Sequence, residues 1–196
     1  MFAHDLGIDV WVTIDAAATK PFGYLRIGPG PGVGGHRLPI DPSYLAWAVE
    51  RRLGRPFRFV ELANDINDHM PRYVVSRFER GLADRGVALA AARVLILGLA
   101  YKRNSGDARE SPATAIVDTL LERGAEVTVA DPHVVEDVDT SSTTRRVALD
   151  ADEVAAADGI ILVTDHDAFD RDLVATHARY VLDTRHCLEG HAVEHL

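Results

Sequence analysis

Past Ala92 the hydrophobic pattern of this chain changes period, and that change limits the folds open to it. Four short runs rich in β-branched and aliphatic residues follow: RVLILGL from Arg93, EVTVAD from Glu126, DGIILVT from Asp158 and YVLD from Tyr180. Helical segments separate them, one signed by Ser111 as cap with Pro112 at the first helical position, another beginning near Asp150. Strands alternating with helices build βαβ units, so the expectation is an α/β fold with a Rossmann-like parallel sheet. Such a sheet takes ligands beyond the carboxyl ends of its strands, here after Leu97, Ala130, Val163 and Leu182.

From Met1 to about Leu89 the pattern is helical instead. Phe59, Leu62, Ile66, Met70, Tyr73, Val74, Phe78 and Leu82 recur at spacings of three and four, the stripe of an amphipathic helix that buries one face. Pro71 is expected to interrupt or bend it. A loop rich in Pro and Gly precedes it, and Pro42 is placed to start a further helix near Ser43. The chain therefore divides into a central helical region over 1–90 and a Rossmann-like region over 91–196. The polar stretch from Asp139 to Thr144 reads as a mobile loop.

The 196 residues, 47% of them hydrophobic, suffice for one good core plus a smaller helical part. A net charge of −9 argues against a binder of phosphate backbones, which needs a basic face, so nucleic acid is not an expected partner. No apolar run approaches the length of a membrane span, and no signal-peptide pattern opens the chain. With a single cysteine, Cys187, no intramolecular disulfide can form, and the expected compartment is the cytoplasm.

The segment PGPGVGGHRLPIDPSYL, Pro29 to Leu45, carries the strongest motif. Gly28, Gly30, Gly32, Gly34 and Gly35 let a backbone approach a ligand or a neighbouring element closely. A glycine-rich loop alone is a weak signal, but here KPFGY precedes it, and ELANDINDHMP, LGLAYKRNSGDARESP and DTR follow in that order. Together these segments resemble the UDP-glucose/GDP-mannose dehydrogenase family of nucleotide-sugar 6-dehydrogenases, most closely its UDP-N-acetylglucosamine and UDP-N-acetylmannosamine members. The resemblance spans nearly the whole chain but only the family's central and UDP-binding parts. No GxGxxG follows an N-terminal strand, so the family's NAD-binding domain is expected to be missing.

The resemblance implies a UDP-sugar as partner and assigns substrate contacts to Tyr24, Gly34, Lys102 and Arg185. It implies that Arg109 reaches toward NAD, the family's cofactor, which this chain alone is expected not to bind. For the helical region the resemblance implies a homodimer, or a dimer with a full-length dehydrogenase; the alternative is an ordinary helix packed on its own domain. In the family a thiolate holds the half-oxidised sugar as a thiohemiacetal on the way to the carboxylate; here Arg37 stands at that position. A guanidinium stays protonated and cannot add to a carbonyl, so the complete oxidation is not expected. It would suit the carboxylate of a UDP-uronic acid instead. Asp41 matches the carboxylate that assists hydrolysis, and is left without the intermediate it would serve; capping the helix that follows is its other reading.

Read without the resemblance, Lys102, Arg103 and Arg109 beside a helix N-terminus suit an anion such as a diphosphate. Arg109 has an alternative in a surface bridge to Asp107 or Glu110, and Arg185 in one to Asp183 or Glu189. Cys187 is read as a small packed hydrophobe rather than a displaced nucleophile. His186, His191 and His195 gather near the C-terminus, the last two spaced for one helix face, in a tail expected to fray without holding a metal. His36 either shapes the glycine-rich loop or simply packs. Three functions follow as expectations: a UDP-sugar-binding relative without the full reaction, a dimerising or modulating partner of a complete dehydrogenase, and part of an active enzyme with a separate NAD-binding chain.

Overall fold

The computed structural model describes residues 1–135 and 144–196. Its helical part comprises α1 (Phe2–Asp5), α2 (Val10–Ala18), α3 (Asp41–Leu53) and α4 (Arg58–Ala83), with the glycine-rich loop between α2 and α3. Asp9 caps α2, its carboxylate accepting from the amides of Trp11 and Val12. At the other end of α3 the chain leaves through Gly54 in the left-handed conformation, at φ +64°.

Six strands in the described residues form one parallel sheet: β1 (Arg93–Leu97), β2 (Glu126–Ala130), β3 (Arg145–Arg146), β4 (Gly159–Leu162), β5 (Val181–Asp183) and β6 (Val193–His195). Their order is β3-β2-β1-β4-β5-β6, with α5 (Pro112–Glu122), α6 (Ala151–Ala156) and α7 (Arg171–His177) as connections. Side-chain caps from Ser111, Asp150 and Asp170 start these three helices. The order reverses between β1 and β4, so the topological switch point lies where the loops after those two strands leave the sheet.

Both faces of the central strands β1, β4 and β5 are covered, which is why these are apolar along most of their length. Val94 and Ile96 of β1 face a cluster with Val74, Phe78 and Leu82 of α4 and Ile116 and Leu120 of α5; Leu95 and Leu97 face Val154 of α6 and Val174 of α7. The C-terminal half of α4 thus belongs to the sheet core.

Three expectations are corrected here. The α4 stripe does not lie on one buried face: Val74, Phe78 and Leu82 are fully buried, whereas Phe59, Leu62 and Ile66 are exposed, because the sheet and α5 cover only the second half of the helix. Of the two outcomes expected of Pro71, interruption does not occur: α4 runs through it. Its missing N–H instead leaves the Asn67 carbonyl without its usual helical partner, at the place where the glycine-rich loop docks. The C-terminal tail does not fray. His195 belongs to β6, aligned with Asp183 of β5, so it shares no helix face with His191. Glu194 accepts from Arg77 (2.5 Å) and from the Tyr180 hydroxyl (2.9 Å), fastening β6 to α4. The Asp139–Thr144 stretch lies outside the described residues except for Thr144.

Candidate functional site

The glycine-rich loop crosses the carboxyl edge of the sheet and is seated at successive points along its length. Gly28 rests on the Trp11 ring, and a Cβ on Gly30 would stand 3.0 Å from Arg185 Nη1. Asn67 on α4 clamps Val33 from both sides: the Val33 amide donates to Oδ1 (2.7 Å), and Nδ2 donates to the Val33 carbonyl (3.0 Å). A Cβ on Gly34 would run into the Glu110 carbonyl and lie 2.9 Å from Tyr101 Cβ, so only glycine permits this approach. The Gly35 amide donates to the Arg109 carbonyl (3.1 Å), and Gly35 lies against the Tyr101 ring. Gly34 is therefore buried as a backbone seat between the two halves of the chain.

Lys102 leaves the sheet after β1 and Arg185 after β5, on either side of β4 in the strand order. Lys102 is exposed, its ammonium 5.4 Å from the Tyr101 ring centroid, and it makes no ion pair among the described residues. Arg185 donates through Nε to the Val163 carbonyl (2.7 Å). Neither Asp183 nor Glu189 bridges its side chain; Asp183 accepts from the Arg185 backbone amide instead (2.8 Å). Burial works against its charged form and lowers its pKa, while the nearby Asp165 opposes that shift. Arg185 thus holds a half-buried charge in place, with no carboxylate forked onto it among the described residues.

Arg109 is otherwise engaged. Its Nε and Nη2 fork onto Asp107 (2.9 and 2.6 Å), and the bonds from the Arg109 side chain and amide bring the Asp107 carboxyl down to about 2. As for NAD, the described residues do not form its cradle. The turn after β1 has one glycine, Gly98, followed by Leu99, Ala100 and Tyr101, where a dinucleotide fold needs bare backbone. The residue expected to reach the cofactor is the one paired with Asp107. No step through NAD follows from these residues.

Arg37 is exposed, and its side chain makes no hydrogen bond or ion pair among the described residues; its carbonyl accepts from the amides of Ile40 and Asp41. Asp41 is the first residue of α3 and forms no side-chain cap, so the capping alternative does not hold. Tyr24 is exposed on the segment after α2. His36 is exposed and lies near Asp107. Cys187 is half-buried, its thiol pushed up to about 12 by burial and by the neighbouring Asp183, which keeps it from acting as a thiolate. His186 stacks on Trp11, with ring centroids 4.7 Å apart. A cleft of about 1020 Å³ beside the loop is lined by Gly32, Val33, Asn67, Arg109 and the start of α5, but by neither Lys102 nor Arg185. The cationic pair at the strand ends and this cleft are therefore different places.

The family model for the UDP binding domain of the UDP-glucose/GDP-mannose dehydrogenase family matches residues 95–190, and that for its central domain residues 1–69. The chain belongs to this family. A UDP-N-acetyl-D-mannosamine dehydrogenase of Methanococcus maripaludis is 34% identical over 194 residues, covering 94% of this chain and 42% of the relative. One from Salmonella typhi is 34% identical, with 94% and 44% covered. Among solved structures, the UDP-D-ManNAc dehydrogenase of Pyrococcus horikoshii superposes with a TM-score of 0.78 at 26% identity, over 99% of this chain and 45% of that one. A UDP-glucose dehydrogenase from Pyrobaculum islandicum gives 0.79 at 27% identity, over 97% and 43%. The chain thus spans less than half the length of these relatives. No helix among the described residues is long and apolar enough to cross a membrane.

Proposed function

We propose that this chain binds a UDP-sugar at the carboxyl edge of its sheet, with residues 91–196 as the binding domain and 1–90 as the helical region that supplies the glycine-rich loop. The observation that carries this reading is Arg185: a half-buried guanidinium that the fold holds by one backbone carbonyl and leaves, among the described residues, without a forked carboxylate. A diphosphate offers the acceptors such a group lacks. Lys102 supplies a second, exposed charge from the end of β1, on the other side of β4. Tyr24 and Gly34 complete the assigned contacts, Gly34 through the loop it seats.

The chemistry of the family's full oxidation is not expected of these residues. Arg37 offers donors but no nucleophilic lone pair, and Asp41 has no thioester to hydrolyse. Titration calorimetry with UDP-N-acetylglucosamine, using GDP-mannose as control, tests the binding reading. Lys102→Ala and Arg185→Ala are each expected to lower affinity about tenfold or more, as loss of a charge-assisted hydrogen bond implies. Absence of binding by a folded protein would overturn it.

A second reading, pairing with another copy or with a complete dehydrogenase subunit, is favoured by the first half of α4. Phe59, Leu62 and Ile66 sit on one helical face and are 78%, 58% and 49% exposed, with Tyr44 and Trp47 exposed on the adjoining α3. A row of apolar side chains at these spacings gains by being covered. Sedimentation velocity is expected to show a dimer at micromolar concentration that Leu62→Glu converts to monomer. A monomer in the unsubstituted chain would leave the helix without this role.

A further inference from the structure

The loop that carries Lys102 is held from both sides by a buried pair that the substrate assignments do not include. Asp131 follows β2, and its side chain is fully buried. One of its oxygens accepts from the amides of Leu99 (2.6 Å) and Ala100 (3.0 Å), the first residues of the loop after β1 and Gly98. Its other oxygen accepts from the amides of His133 (2.8 Å) and Val134 (2.9 Å). From the β4 side comes His166, also fully buried, with Nε2 3.1 Å from Asp131 Oδ2.

The tautomer of His166 follows from its two partners. Nδ1 lies 2.9 Å from the Asn104 backbone nitrogen, whose N–H can only donate. Nδ1 is therefore the bare nitrogen, and Nε2 carries the proton given to Asp131. Asn104 itself sits at φ +55°, in the left-handed region that needs local support in a residue other than glycine. Thr164 adds a bond from its hydroxyl to the Ala100 carbonyl (2.7 Å). The backbone is thus pinned at Leu99, Ala100 and Asn104, and the Tyr101 amide is held as well, by the Asp107 carbonyl (3.0 Å); Lys102 and Arg103 lie between these points, after β1 at the switch point.

We propose that Asp131 and His166 are positioning residues that fix the backbone path of Tyr101–Lys102–Arg103, and through it the reach of Lys102 toward the diphosphate of a nucleotide-sugar. Neither side chain is open to solvent, so neither touches the ligand. The part concerning the diphosphate rests on the proposed UDP-sugar binding; the part concerning the loop does not.

Two conservative substitutions separate the bonds. In His166→Gln the amide nitrogen replaces the donor to Asp131 while the acceptor for Asn104 is lost; in His166→Asn the side-chain oxygen replaces that acceptor while the donor is lost. On the free, 15N-labelled protein, His166 is expected to show the Nε2-protonated tautomer. The Asn104 amide should exchange about tenfold faster in His166→Gln, with Leu95 and Ile96 unchanged, and remain protected in His166→Asn. An Nδ1-protonated ring, or an Asn104 amide indifferent to both substitutions, would overturn the positioning role.

Calorimetry with UDP-N-acetylglucosamine supplies the other arm. His166→Gln should weaken binding about fivefold in the native background and have almost no effect in the Lys102→Ala background, since it acts through that side chain. Losses that multiply, or no loss at all, would overturn the link to Lys102. If the unsubstituted chain binds no UDP-sugar, the binding reading and its link to Lys102 fall together, and amide exchange alone decides whether the pair positions the loop.

Discussion

Glu194→Ala is expected to destabilise the folded chain by about 3–5 kcal/mol, the range for removing one partner from a buried ion pair. Arg77 is 3% exposed and gives Glu194 its Nε and Nη2, at 3.2 and 2.5 Å. Its remaining contacts, the His195 carbonyl (3.0 Å) and the Tyr73 hydroxyl (3.3 Å), cannot neutralise a charge. Loss of Glu194 also strips the Tyr180 hydroxyl of its acceptor inside the core. Arg77→Met should cost less, because it removes the buried charge itself and leaves Glu194 partly in solvent. Urea unfolding of the three proteins at pH 7 checks the order: Glu194→Ala weaker than Arg77→Met, and both weaker than the parent. Equal stability of all three would mean that β6 is not anchored by this pair.

That pair also marks where sequence and structure part company. The strands β1, β2, β4 and β5 were legible because buried parallel strands must be apolar on both faces, a local property of the residues themselves. β6 was not, since VEH is three residues long with a charged residue at its centre, and the Arg77–Glu194 bond that ties it to α4 spans 117 positions. β3, with only Arg145 and Arg146, gave no hydrophobic signal. On α4 the spacing of the stripe was right, but spacing cannot say where along a helix its cover stops; that is set by the extent of the sheet and α5.

The candidate site divides in the same way. Lys102 and Arg185 were named by the resemblance and stand in segments that follow expected strands, and the fold puts both beyond strand ends. Arg109 could not, because a forked bridge two residues back competes for it and only geometry shows that Asp107 wins. Asn67 and Asp131 went unremarked in the sequence, although each had a signal. Asn67 stands four residues before Pro71, where a helix carbonyl is freed. Asp131 is a carboxylate directly after an apolar strand, a place where an uncompensated charge would be costly.

Compensation at Asp131 sets the second large effect. Burial alone would raise its pKa, but the bonds from His166 and from the His133, Val134 and Ala100 amides outweigh it, so the folded value lies well below the usual carboxylate range. A group whose folded pKa is depressed adds stability above its unfolded value, about 3.9, and that contribution fades as pH falls from there toward the folded value. Asp131→Asn removes the charge and keeps the shape, yet only one of its two polar atoms can accept. Its amino group must then face either the Leu99 and Ala100 amides or those of His133 and Val134, donor against donor. Two buried amides left unpaired are expected to cost about 3 kcal/mol or more at pH 7. Because the variant has no carboxylate at this position to protonate, the gap between the two proteins should narrow as pH drops below about 4. Chemical denaturation of both proteins from pH 7 down to pH 3 measures that gap. A constant difference across the range would mean that Asp131 contributes through shape alone, and a negligible one at pH 7 would mean that the five donors around it find other partners.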